Sequence, residues 1–329
     1  MYYLFYGFLY LVSLLPMRIL YFISDAIYGL IYYILGYRKK VVMSNLAIAF
    51  PDKTEAEREK IAKKFYHNFI DSFIEVIKLV SASDTFLQKR FTVDVRELNE
   101  LYETGKSCQI HLGHTFNWEW GQLVLARLTK YKIMVVYMPI TSAVLEKLFY
   151  KLRTRSGNVF LPATNMKEAI CPHLQTQYAL GLVADQNPGN IKAAYWLSFF
   201  GKPTPFVSGP EKGARACGMP VLFACIEKQR RGYYHATVKL AAMDSSLLSE
   251  GELTLRYVRY LEEVIYRNPD MWLWSHRRWK HAWKPEYAPM WIDDSMPVPV
   301  LMPADTSIAG AAPMSTDTSL PGDRPVALA

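Results

Sequence analysis

The chain has 329 residues, 51% hydrophobic and 21% charged, with a formal net charge of +8 at pH 7. That much apolar material suffices for a sizeable core and excludes a wholly disordered chain. The positive balance suits nucleic acid, an anionic membrane surface or an acidic carrier protein, and does not choose among them.

From Met1 to Tyr37 only Arg18 and Asp25 are charged, and Tyr, Leu, Ile and Phe dominate. A spanning helix needs roughly 20 predominantly apolar residues. The uncharged run Met1 to Met17 is marginal and contains Pro16, and Ala26 to Tyr37 is too short alone. Two arrangements fit: one tilted spanning helix, or a pair of helices lying in one leaflet. No basic segment precedes the apolar run and no A-x-A-like site follows it, which argues against a signal peptide. Arg38, Lys39 and Lys40 come next and favour the cytoplasmic side. Residues 1–40 are therefore expected to form a membrane-anchoring helical region.

Residues 53 to 80 read as a helix. Thr54 is a candidate N-cap with Glu57 three residues on, and Ile61, Phe65, Phe69, Phe73, Val76 and Leu79 recur at helical spacing. Beyond about residue 90, strands are expected at Ser107 to Leu112, Lys132 to Tyr137, Tyr178 to Ala184, Pro220 to Ile226 and Tyr234 to Leu240. Helices are expected between them at Asn117 to Leu128, Ala143 to Arg155, Met166 to Gln175 and Glu211 to Cys217, and a late one from Glu252 to Arg267. This alternation predicts an α/β domain over residues 41–292 with a mostly parallel central sheet flanked by helices. Residues 293–329 are rich in Pro, Ala, Ser and Thr and are expected to be a disordered tail. Cys108, Cys171, Cys217 and Cys225 form neither a C-x-x-C pair nor a zinc-ligand spacing, so reduced thiols and no metal are expected.

The chemistry concentrates in Gln109 to Trp120, QIHLGHTFNWEW. His114 falls on a strand-to-helix turn at the carboxyl end of a sheet strand, the edge where open α/β sheets bind ligands. If Glu119 occupies the first helical turn, it can accept from one ring nitrogen while the other removes a proton from a hydroxyl. His111, inside the strand, reads as structural. Arg153 and Arg155 follow a helix and suit a phosphate, which guanidinium grips bidentately. Asp185 ends another strand and is placed to orient an arginine or an acceptor hydroxyl. Trp272, Trp274, His276, Arg277, Arg278 and Trp279 fit a nucleic-acid surface, a membrane interface or packing of the C-terminal segment.

The segment around His114 resembles the H-x4-D/E motif of the bacterial lipid A late acyltransferases, the lauroyl/myristoyl acyltransferase family, within the glycerol-3-phosphate and lysophospholipid acyltransferases. Arg38 to Val42 with Asn45 to Pro51, Arg153 to Gly157, Ala184 to Gln186, Phe199 to Gly201 and Trp272 to Trp279 resemble that family's other blocks in the same order, over about residues 1 to 285. The resemblance implies a glycerol-3-phosphate-acyltransferase-like fold at the bacterial inner membrane, facing the cytoplasm. It implies direct transfer of an acyl chain from an acyl carrier protein or coenzyme A thioester to a hydroxyl of a lipid acceptor, a lipid A precursor first. His114 would be the base and Glu119 its partner. Arg153, Arg155, Asp185, Asn117 and Trp118 would lie about the substrates, with no metal, cofactor or covalent acyl-enzyme. Phe116 stands where the family usually has Gly, which bears on the acceptor more than on the reaction. A lysophospholipid or aminolipid acceptor, or a non-catalytic membrane lipid-binding role, are the alternatives. No G-x-S-x-G elbow points to a serine hydrolase, and no signature points to nucleic acid.

Overall fold

A computed structural model describes residues 2–294; the tail expected to be disordered lies outside the described residues, save for its first two. Helix α1 (Tyr2–Leu14) is followed by Pro16, which fits just ahead of a helix because it lacks an N–H, and α2 (Met17–Gly29) starts behind it. The path continues as a π-helical segment, Leu30–Leu35, and closes at Gly36 with φ 58°. Met17–Leu35 is long and apolar enough to cross a membrane by length and composition. Helix α3 (Lys39–Ala49) precedes α4 (Glu55–Leu79). The predicted capping box closes the start of α4: Thr54 Oγ1 accepts from Glu57 N, and Glu57 accepts from Thr54 N.

Helix α4 carries α1 and α2 along one flank. Polar ties run the length of that seam. Tyr21 Oη donates to Glu75 Oε1 (2.7 Å), Ser24 Oγ to Asp71 Oδ1 (2.7 Å) and Tyr32 Oη to Glu59 Oε1 (3.0 Å). Ile19 and Phe22 of α2 and Leu30, Tyr33, Ile34 and Leu35 of the π-helical segment stay exposed.

The rest of the chain runs α5 (Asp84–Gln88), β1 (Phe91–Asp94), α6 (Arg96–Tyr102), β2 (Cys108–Leu112), α7 (Trp118–Leu128), β3 (Lys132–Tyr137), α8 (Ala143–Arg153), β4 (Val159–Pro162), α9 (Met166–Ile170), β5 (Tyr178–Val183), β6 (Tyr195–Phe199), β7 (Lys202–Phe206), α10 (Gly209–Ala216), β8 (Val221–Arg230), β9 (Tyr233–Ala242) and α11 (Glu252–Arg267). Seven strands make one sheet in the order β1-β9-β8-β2-β5-β3-β4. Every neighbour pair is parallel except the β8–β9 hairpin. All five predicted strands lie in it. Two four-residue strands, β1 and β4, join at the edges, and both are too short to show a period.

Two predicted helices are shorter than expected. The one from Met166 gives way after Ile170 to a 3₁₀ turn at Cys171–His173 that contains Pro172. The one from Ala143 stops at Arg153, followed by a 3₁₀ turn over Thr154–Ser156 and Gly157 at φ 85°. The unpredicted ribbon β6–β7 turns at Phe200 and Gly201, φ 51° and 72°, the positive pair that a two-residue hairpin turn requires. Pro203 and Pro205 had masked β7; a two-stranded ribbon leaves each strand an unpaired side where a missing N–H costs nothing.

Strand β2 sits between β5 and β8 and is buried on both faces, His111 included. Burial pushes the His111 imidazole down to about 3, so it stays neutral, with Nε2 2.8 Å from the Gln109 side chain. This agrees with a structural reading. The parallel register sets Leu112 opposite Val183, and Ala184 N donates to Leu112 O (3.2 Å). The residues just past the carboxyl ends of β2 and β5 are therefore neighbours, and these include His114 and Asp185.

Candidate active site

Strand β2 runs into Gly113, where the backbone has no room for a side chain. A Cβ there would lie 2.7 Å from Leu261 Cδ1 and 3.2 Å from Asp185 Oδ2. The chain then turns with His114 N donating to Asp185 Oδ2 (2.7 Å), Phe116 N to Met271 O (3.3 Å) and the Tyr257 hydroxyl to Leu112 O (2.7 Å). Thr115 pairs with Trp272 in a one-residue antiparallel bridge. The turn is thus held from β5, α11 and the segment after α11 at once.

His114 Nδ1 is hydrogen-bonded to Asp185 Oδ1, and Trp272 Nε1 donates to Asp185 Oδ2 (2.6 Å). Burial alone would raise the Asp185 carboxyl. The imidazole beside it and the N–H groups of His114 and Trp272 outweigh burial and hold it at about 2. A carboxylate can only accept, so Nδ1 is the protonated nitrogen, and in the neutral ring Nε2 carries the lone pair. A methyl at position 113 would press on this carboxylate. Gly113→Ala is expected to lower turnover on the order of 10²-fold, because small misplacements of a positioned group cost that much, and to cost about 1–3 kcal/mol of stability. Turnover and a thermal melt measured together check it; wild-type turnover would show that the fit at Gly113 does not matter.

The carboxylate beside His114 is therefore Asp185, not Glu119 as expected. Asn117 has φ 68°, which redirects the chain before α7 begins at Trp118. From the first turn of α7, Glu119 reaches Arg153 at the end of α8. Arg153 Nη2 donates to Oε1 (2.7 Å), and Nε lies 3.1 and 3.2 Å from the two oxygens. Both side chains are buried, and the guanidinium lies over the rings of Trp118 and Phe149. Burial pushes the Glu119 carboxyl up to about 6 against the pull of Arg153. Arg153 thus pairs with a protein carboxylate. Arg155 is also turned inward: its Nη1 donates to Leu79 O (2.6 Å), and its Nε and Nη2 are buried without a partner among the described residues.

A cavity of about 340 Å³ opens beside the turn. Its polar wall includes His114, Asn117, Glu119 and Arg153, and its apolar wall includes Phe69, Phe73, Val76, Leu145, Phe149 and Leu273. Phe116 and Trp118 also face it. Phe116 is otherwise buried, 5.7 Å from the ring of Phe65 and 6.2 Å from that of Phe69. Asn117 Nδ2 donates to Glu75 Oε2 (2.6 Å), which ties the turn to α4. Glu75 also accepts from Tyr21 and from Tyr234, so one buried carboxylate joins the apolar N-terminal helix, the sheet and the turn.

The tryptophan–arginine segment favours packing among the readings offered for it. Trp272, Trp274 and Arg278 are buried, so these side chains belong to the interior rather than to a membrane interface. The role of Trp272 as a donor to Asp185 was not legible, because it depends on a contact across 87 residues.

Among the described residues no cluster of three or more His, Cys, Asp or Glu could hold a metal. Residues 1–281 match the family described as bacterial lipid A biosynthesis acyltransferase. The chain is 22% identical over 275 residues to a lipid A biosynthesis palmitoleoyltransferase of Escherichia coli (strain K12), an alignment that covers 83% of this chain and 89% of that one. A lipid A biosynthesis acyltransferase of Shigella flexneri is similar to the same extent. The chain belongs to the bacterial lipid A biosynthesis acyltransferase family.

Proposed function

We propose that His114 is the general base of a direct acyl transfer from the thioester of an acyl carrier protein or coenzyme A to a hydroxyl of a lipid A precursor. The observation that carries this reading is the buried Asp185 fixing Nδ1 while the same ring borders a mainly apolar cavity. Nε2 takes the proton of the acceptor hydroxyl as its oxygen attacks the thioester carbonyl. The tetrahedral intermediate collapses with cleavage of the carbon–sulfur bond, and the thiol leaves with that proton. The N–H groups of Trp118 and Glu119 precede the first bonds of α7, which run from Trp120 N and Gly121 N to Asn117 O (3.2 Å each), and both residues border the cavity, which suits the carbonyl oxygen as it gains charge. The apolar wall suits an acyl chain. The Glu119–Arg153 pair acts as a fixed part of the polar wall rather than as the partner of His114.

The N-terminal helices serve as the anchor at the cytoplasmic face of the inner membrane. Of the two arrangements the sequence left open, lying in one leaflet is favoured. Tyr21, Ser24, Asp25 and Tyr32 of the apolar stretch contact charged side chains of α4 or the β8–β9 hairpin, which a bilayer core would not accommodate. The test is acyl transfer in detergent micelles, read by mass spectrometry, with both thioester donors and a panel of lipid acceptors. A mass gain of one acyl chain on a lipid A precursor supports the reading. Its absence from every donor–acceptor pair sinks it.

A further inference from the structure

Of the two arginines that the sequence offered for a phosphate, Arg153 is paired with Glu119 in the cavity wall and Arg155 is turned inward. A different group of cations converges elsewhere. A groove of about 300 Å³ lies between α3, the start of β7 and the segment after Trp272. Lys40, Lys202, Arg277 and Lys280 line it together with Ser44 and Trp279. Lys40, Lys202 and Lys280 are exposed and make no ion pair among the described residues. Trp279 Nε1 is a buried donor without a partner among the described residues.

The groove is tied to the candidate active site through one stretch of chain. Its floor is fixed by buried Asn45, whose Nδ2 donates to Trp274 O (2.8 Å) and His276 O (2.7 Å). The segment beyond Trp274 then alternates. His276 and Arg278 turn toward the loop after Asp185, where Asn187 N donates to His276 Nε2 (3.4 Å) and Arg278 Nη1 donates to Asn187 Oδ1 (3.1 Å). Arg277 and Trp279 turn the other way and line the groove. One stretch of chain thus touches both the loop after the catalytic carboxylate and the cationic groove.

From this we infer that the groove is a phosphate-binding subsite for the headgroup of the lipid acceptor. The inference rests on the acyl-transfer reading above for the identity of the acceptor. Three observations choose a lipid phosphate over an acidic carrier protein. The cations line a concave space sized for a small headgroup, rather than a raised patch that an acidic helix could dock against. Ser44 and Trp279 add neutral hydrogen-bonding groups, which suit the oxygens of a phosphorylated sugar. Lys40 follows the exposed apolar residues Ile34 and Leu35 by less than two helical turns of chain, so the groove lies near the level where an embedded segment gives way to headgroups.

The experiment uses the full chain and the variants Lys40→Ala, Lys202→Ala and Lys280→Ala, singly and combined. Acyl transfer is measured on a phosphorylated lipid A precursor and on the same lipid after phosphatase treatment, each titrated separately from the thioester donor. The combined variant is expected to raise the acceptor KM on the order of tenfold, a few-fold per lysine, as exposed charge pairs do. kcat, the donor KM and all constants on the dephosphorylated acceptor should stay near wild type. An increase confined to the donor KM would overturn the inference in favour of carrier-protein docking, and unchanged constants throughout would overturn it outright. Binding of the His114→Ala protein to nanodiscs, with and without a lipid bearing a phosphate monoester, separates the two readings. Phosphate-dependent binding lost in the combined lysine variant supports the subsite even if no acyl transfer is found; phosphate-independent binding removes it.

Discussion

Asp185→Asn is expected to reduce kcat on the order of 10⁴-fold, and His114→Ala to abolish transfer, with both proteins folded. The aspartate prediction follows from proton placement. The carboxylate accepts from both His114 Nδ1 and Trp272 Nε1. An asparagine amide can turn its NH₂ toward Nδ1, which favours the tautomer with the proton on Nε2 and removes the base from the side where the acceptor binds. The contrast with Glu119→Gln is decisive. If the glutamine variant were dead and Asp185→Asn active, the carboxylate assignment made here would be inverted.

The same pair carries a stability signature. The folded carboxyl of Asp185 lies at about 2 against 3.8 for a free aspartate. A depressed carboxylate contributes stability that is present above the unfolded value and is lost as pH falls through the folded one. Between pH 4 and 2 the wild type should lose roughly 2 kcal/mol that the asparagine variant does not. Parallel pH profiles of the two proteins would show lines that converge toward acid, and parallel lines would mean that the pairing contributes nothing to folding.

How much of this was legible depends on where the information lies along the chain. Strand β2 announces itself as a local apolar run, and Thr54 with Glu57 announces the start of α4, so both were readable from a short window. His114 was readable because a strand running into Gly113 and a helix starting nearby place a residue at the ligand edge of the sheet. Its partner was not, because spacing alone favours Glu119, five residues away, over Asp185, which is brought alongside only by the pairing of β2 with β5. Asp185 was legible as lying at the carboxyl end of a strand and not as the partner of this histidine. The edge strands β1 and β4 escaped notice for want of length, and the β6–β7 ribbon because its turn places a phenylalanine at positive φ. The cationic groove draws on α3, β7 and the closing segment, so no single window contains it.

Breaking the Glu119–Arg153 pair from one side is expected to be the largest structural lesion near the site. Glu119 and Arg153 are 6% and 2% exposed, so a charge that loses this partner would have little water to compensate it. Arg153→Met or Glu119→Ala should each cost about 3–5 kcal/mol, because breaking a buried ion pair from one side is strongly destabilising. In a chain of this size that corresponds to a fall of roughly 6 to 12 °C in Tm. The double variant Glu119→Gln with Arg153→Met should recover most of the loss, since replacing both members of a buried pair by groups of similar shape is often near neutral. Turnover then separates two roles for the pair. If its work is to hold the cavity wall, the double variant should regain activity along with stability. If the carboxylate or guanidinium touches the reacting thioester, stability will return and turnover will not. Melting points that change by no more than about 1 °C in both single variants would show that the pair is not what holds α7 to α8.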